Sequence, residues 1–160
     1  MIKNINIILL TILSFLVLSV FSAYIIEYTL GHKPCKLCLY QRYPYFASIF
    51  LILNILIIKK YIKFSLLILA LVSLVGSIIA FYHFGIEQGF FSESLICEIK
   101  NFNQILSKED ILRQLSENTI SCKTVTFRVF GLSLASINTI FSFLLFGIFL
   151  KLFKNYEKNK

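Results

Sequence analysis

The sequence predicts an all-α, polytopic membrane protein: a four-transmembrane-helix bundle with one long extracytoplasmic loop. Three observations carry this. The 160 residues are 58% hydrophobic and only 15% charged, outside the usual balance of soluble globular domains. Four apolar runs each reach the roughly 20 residues that a helix needs to cross a bilayer. Basic residues gather at the ends of those runs, so the net charge of +8 reads as retention of cytoplasmic loops and not as a nucleic-acid surface.

The whole chain, residues 1–160, forms one membrane domain, with spans at about 5–26, 39–58, 64–84 and 129–150. The first run follows Lys3 and ends near Ser22 and Ala23, a pattern shared with signal peptides. Its apolar stretch outruns the roughly 7 to 15 residues of a signal core, which favours an uncleaved helix. Small residues recur at helical spacing in the later runs: Ser73 with Ser77, Gly76 with Ala80, and Gly131 with Ala135. Such pairs let helix backbones approach closely in lipid, so they are expected to be packing seams.

Loop charge sets the orientation. Lys3, the connection carrying Lys59, Lys60 and Lys63, and the tail with Lys151, Lys154, Lys158 and Lys160 contain one acid, Glu157. The long connection mixes signs, with Lys100, Lys108 and Arg113 beside Glu93, Glu98 and Glu109. Positive-inside counting therefore places both termini in the cytoplasm and the loops 27–38 and 85–128 outside, in contact with lipid headgroups. Within the long loop, Ser107 to Asp110 resembles a helix start, with Ile111, Leu112 and Leu115 on one face. It predicts a small helix lying on the bilayer or a flap that moves its cysteines between partners.

All four cysteines then fall on the outer side, where a disulfide can persist. Pro34-Cys35-Lys36-Leu37-Cys38 places two thiols one helical turn apart at the mouth of the second span, a redox or metal spacing. A closed zinc site would need four ligands in tetrahedral reach, and a lysine loop and a whole helix separate Cys38 from Cys97. At a helix start the dipole favours a thiolate. Arg42, one turn after Cys38, is placed to stabilise that anion or a polar ligand head, or simply to reach the interface. Gln41, Tyr40, Tyr43 and Tyr45 suit an interfacial belt. Cys97 and Cys122 would close a loop if bonded, and a purely structural bond there stays open.

Two dithiol pairs on one face suggest exchange, and electrons reaching Cys35 and Cys38 need a two-electron sink. The chain has no Gly-rich dinucleotide fingerprint, haem motif or iron-sulfur spacing. A lipid-soluble quinone is the natural candidate. His83, at the outer end of the third span, is either an interfacial histidine or a partner for a quinone carbonyl. His32 reads as an exposed loop residue.

Cys35-Lys36-Leu37-Cys38-Leu39-Tyr40-Gln41-Arg42-Tyr43-Pro44 resembles the signature of the disulfide bond formation protein B (DsbB) family, a C-x-L-C followed by x-x-Q-R-x-P. The likeness extends over the whole chain, including the Phe130-Gly131-Leu132-Ser133 lead-in to the last helix. It implies a bacterial inner-membrane thiol oxidoreductase that reoxidises a periplasmic, thioredoxin-fold, DsbA-like dithiol oxidase and passes its electrons to ubiquinone or menaquinone. It further implies that Cys97 is attacked by the partner, that Cys122 then attacks Cys35, and that Cys38 meets the quinone beside Arg42 and His83. Other readings remain on the table. One is a vitamin K epoxide reductase-like quinone enzyme, whose helix-borne C-x-x-C comes late in the chain; another is a scaffold with two structural disulfides; a third is a thiolate metal carrier.

Overall fold

The computed structural model describes residues 2–59, 61–92, 97, 121–123, 127–129 and 131–158. The expected surface helix after Ser107 lies outside the described residues, as do Lys60 and Phe130. Among the described residues, four helical segments are long and apolar enough to cross a membrane: Ile5–Tyr28, Lys36–Ile58, Ile62–Glu87 and Leu134–Lys158. The protein is therefore a multi-pass membrane protein.

Helix α1 (Ile2–Tyr28) packs into the bundle. Ile5, Leu9, Ile12 and Leu16 repeat every three or four residues and are buried, which is the stripe that one helix face presents to a neighbour. Three hydroxyls on this apolar helix turn back on their own backbone: Thr11 donates to the Ile7 carbonyl, Ser19 to Phe15 and Ser22 to Leu18, which satisfies them within the helix.

The second span is broken. A short helix α2 (Lys36–Tyr40) ends at Gln41, and α3 (Arg42–Ile58) begins directly after it. Pro44 supplies the cause. It has no N–H to give the Tyr40 carbonyl four residues back, and its ring crowds that carbonyl, but it is tolerated in a helix's first turn. The expected uninterrupted span from Leu39 thus becomes two pieces, with Gln41 at the joint.

Lys59, with φ 52, closes α3 in the left-handed conformation, and α4 (Ile62–Glu87) returns through the bilayer. The seam expected on α4 is present: Ser73, Gly76, Ser77 and Ala80 are all buried. A Cβ on Gly76 would lie 3.2 Å from the Pro44 side chain, so glycine is what lets α4 approach the break in the second span.

The last span starts later than the sequence pattern implies. Arg128–Val129 (β1) and Leu132–Ser133 (β2) form a two-stranded antiparallel ribbon, Arg128 opposite Ser133 and Val129 opposite Leu132. Helix α5 then runs from Leu134 to Lys158. Gly131 lies exposed in the ribbon's turn at φ +84, a conformation that favours glycine. It is a turn residue and not a seam partner of Ala135; Ala135 alone is buried.

Helices α4 and α5 share the most extensive interface, and α3 packs on both α4 and α1. One core is wholly hydrocarbon, with Leu9 and Leu16 of α1, Ile52 of α3, Leu66 and Leu69 of α4, and Phe149 of α5. A second, smaller cluster holds Cys35, Leu37, Ile86, Cys97 and Cys122. It forms at the end of the bundle opposite the α3–α4 turn.

Candidate functional site: two cysteine pairs beside a membrane-level cavity

Cys35 is the N-cap of α2, and its sulfur accepts a hydrogen bond from the Cys38 backbone N–H at 3.2 Å. The two sulfurs lie 2.7 Å apart as free thiols. Helix geometry brings residues three apart onto one face, which is how C-x-x-C becomes a facing dithiol. The Cys38 thiol donating to Cys35 lowers the Cys35 pKa to about 5; His83 and the Cys38 N–H add to this, against burial, which raises it. The reduced pair therefore carries its negative charge on Cys35 near neutral pH.

His83 Nε2 stands 3.5 Å from the Cys35 sulfur and 3.8 Å from Glu87 Oε1, one turn along α4. The Cys122 backbone reaches the same ring. Cys97 and Cys122 are joined in a disulfide, and both are buried in the cluster that contains Cys35. Residues from two separate loops are thus gathered around one sulfur. Glu87 in turn accepts from the Ser133 hydroxyl, which ties the α4 end to the ribbon before α5.

Behind His83 runs a chain of buried polar groups. Gln41 Nε2 is 2.9 Å from His83 Nδ1. Asn138 Nδ2 of α5 donates to Gln41 Oε1 at 2.6 Å, and Tyr45 donates its hydroxyl to Asn138 Oδ1. Gln41 and Tyr45 are therefore turned inward and not part of the surface belt; Tyr40 and Tyr43 are exposed as that belt requires. His32 is also more enclosed than expected: it is half-buried and its ring lies 5.2 Å from that of Phe127.

Arg42 opens α3 just past the break at Gln41 and lines the same cavity as Cys35 and Cys38. Its Nη1 sits 2.6 Å from Glu27 Oε2 of α1, an ion pair not aligned as a hydrogen bond. Its guanidinium lies 4.8 Å from the Tyr24 ring centre. A carboxylate and an aromatic face both favour holding a cation in place.

These groups enclose a cavity of about 420 Å³. Cys35, Cys38, Gln41, Arg42, His83 and Glu87 form its polar side, and Phe15, Val20, Ala23, Ile26, Ile137 and Phe141 contribute an apolar one. That is the composition of a site for an amphipathic ring. The same centre offers three metal-ligand atoms, from Cys35, Cys38 and His83, all within 4.8 Å of one another; a closed zinc site would need a fourth donor.

The family described as disulfide bond formation protein DsbB matches residues 5–152. The chain belongs to the DsbB family. An uncharacterised protein of Rickettsia prowazekii (strain Madrid E) is 34% identical over 159 residues, covering 98% of this chain and 90% of its own length. An SPbeta prophage-derived disulfide bond formation protein B of Bacillus subtilis (strain 168) is 34% identical over 129 residues, covering 80% of this chain and 73% of its own length. No solved structure matches. As a DsbB-family member the protein is a membrane protein of disulfide bond formation with thiol oxidoreductase chemistry, in a family generally linked to quinone.

Sequence reasoning singled out the cysteines, Arg42 and His83, and missed Glu27, Glu87 and Asn138. A signal exists for Asn138, an amide inside the expected span 129–150, since such residues generally face a bundle interior or a cavity; Glu27 and Glu87 fall just beyond the expected spans 5–26 and 64–84, where a carboxylate reads as a loop charge.

Proposed function

We propose that the protein oxidises a periplasmic thioredoxin-fold dithiol partner, DsbA-like in kind, and delivers the two electrons to ubiquinone or menaquinone in the bilayer. The observation that carries this is the packing of the Cys97–Cys122 disulfide against Cys35, which together with Cys38 lines a mostly apolar cavity with one polar side. Both termini lie in the cytoplasm and the cysteines face the periplasm, a reading that rests on the lysines flanking α3, α4 and the C-terminus.

The exchange balances as follows. A partner thiolate attacks the Cys97 sulfur, forming a mixed disulfide and releasing Cys122 as a thiolate. Cys122 attacks Cys35 of a Cys35–Cys38 disulfide and releases the Cys38 thiolate at the cavity. The partner's second thiolate breaks the bond to Cys97, so the partner leaves oxidised. The Cys97 thiolate then attacks Cys122, restoring the loop disulfide and releasing Cys35. Both electrons now reside in the Cys35–Cys38 dithiol, with the charge held on Cys35 by Cys38 and His83.

A quinone bound in the cavity supplies a sink for two electrons and two protons. Gln41, Arg42 and His83 would hold its polar ring, and Phe15, Ile26 and Phe141 would cover its apolar face. Arg42 is fixed by Glu27 and Tyr24, so it offers a positioned donor. The dithiol is inequivalent to the bonded loop pair, which supports a redox pathway over a scaffold with two structural disulfides.

The test is the absorbance of added quinone when protein in detergent is mixed with a reduced thioredoxin-fold dithiol protein. Loss of oxidised quinone that needs both cysteine pairs is expected. No loss with several quinones and partners, with all four cysteines locked in disulfides, would overturn the reading.

A further inference from the structure

The amide chain behind His83 has a direction, and that direction fixes where the imidazole carries its proton. We propose that Asn138 is a positioning residue that, through Gln41, keeps Nδ1 of His83 without a proton and so aims the ring's single proton, on Nε2, at Cys35.

Tyr45 donates its hydroxyl to Asn138 Oδ1, and the Ser142 hydroxyl lies 3.5 Å from the same oxygen. Two hydroxyls facing Oδ1 leave Nδ2 as the group of Asn138 that meets Gln41 Oε1, at 2.6 Å. Gln41 then has its Nε2 toward His83 Nδ1 at 2.9 Å. An amide nitrogen is a donor only, so Nδ1 must accept and holds no proton. Reversing Gln41 alone would set its NH₂ against the NH₂ of Asn138, donor to donor in a buried site, a costly arrangement. The chain therefore turns over as a unit or not at all.

The front of the ring asks for the complementary arrangement. Nε2 faces the Cys35 sulfur at 3.5 Å and Glu87 Oε1 at 3.8 Å, two acceptors when ionised, so Nε2 bears the proton. The Gln41 amide offers Nδ1 no acceptor, so the N–H on Nε2 is the one directed at the sulfur that enters and leaves disulfides. That catalytic consequence rests on the redox reading of Cys35, whereas the protonation pattern itself does not.

The chain has 2 histidines, so ¹⁵N-histidine labelling of the full-length, dithiothreitol-reduced protein in detergent yields two rings, and His32→Gln assigns His83. The wild type is expected to show a proton on Nε2 and none on Nδ1. Gln41→Glu, an isosteric acceptor, is expected to place a proton on Nδ1. Asn138→Leu, which frees Gln41 to turn, is expected to do the same. A proton on Nδ1 in the wild type would overturn the proposal, as would a bare Nδ1 in Gln41→Glu or in an Asn138→Leu protein that elutes like the wild type. Tyr45→Phe guards against misfolding of the Leu variant: it is expected to move part of the signal to protonated Nδ1, and no movement would also overturn the proposal. The expected spectra in a protein that reduces no quinone would leave this inference standing and remove the proposed function.

Discussion

The two ends of the bundle are built on opposite terms. Around Leu9, Leu66 and Phe149 the fully buried side chains of the cluster are hydrocarbon, each of these three having no exposed surface. Around His83 the helices enclose thiols, amides, hydroxyls and carboxylates, among them Gln41, Ser133, Thr139 and Ser142. In lipid, apolar surface gains little by leaving one hydrocarbon for another, so the first end is held by close packing. Every polar group at the second end must find a partner inside the protein. The polar end cannot be repacked without leaving something unpaired, and so it is specified residue by residue. The apolar end is specified by shape.

Cutting the pathway at the polar end should have the largest effect. Cys38→Ala is expected to lower partner-dependent quinone reduction by on the order of 10³-fold or more, as loss of a nucleophile does, with little change in unfolding midpoint. Quinone absorbance and detergent unfolding, measured on the same preparation, check both halves; a large stability loss would erase the contrast between the two ends. At the apolar end the converse is expected. Phe149→Ala should cost about 3 kcal/mol of stability through the cavity it leaves, read by denaturant unfolding in micelles, while the Cys35 pKa stays where it is.

The contrast also decides what could be read in advance. The spans were legible because a bilayer demands long apolar runs, and the C-x-x-C because spacing alone brings Cys35 and Cys38 together. The joint at Gln41 was written in Pro44 but hidden by the apolar run continuing past it. Gly131 looked like a packing glycine since a small residue four positions before Ala135 fits a helix seam as well as a turn. Asn138 was passed over for a different reason: in a span apolar on all sides, periodicity does not say which face is inside, so its pairing with Gln41 and Tyr45 across three helices appears only once the helices are packed.

A smaller effect separates the two sulfurs within the polar end. The Cys35 pKa of about 5 lies far below the roughly 8.5 of an unperturbed thiol. Alkylation of the reduced protein at Cys35 should therefore stay fast through neutral pH and fall away only as pH drops through about 5, where the thiolate takes up a proton. Mass spectrometry of iodoacetamide-treated protein across pH 4 to 9 follows this. In Cys38→Ala the largest contributor is gone and the midpoint should move upward; a midpoint already near the ordinary thiol value in the wild type would show that Cys38 and His83 do not hold the charge.

The smallest effect is expected at the rim, where Arg42 meets Glu27. Both side chains are partly exposed, at 15% and 20%, and a pair of that exposure contributes up to about 1 kcal/mol. Glu27→Gln should thus leave the fold intact and change the apparent KM for quinone by no more than about 5-fold, with the partner's KM untouched because the partner attacks the Cys97–Cys122 disulfide, which does not line the cavity. The direction of the quinone change is informative. A lower KM would mean that Glu27 competes with the quinone for the guanidinium; a higher one would mean that it holds Arg42 in place for the ring. No change in either constant would assign the ion pair to helix packing between α1 and α3, and the polar end would then finish at Gln41.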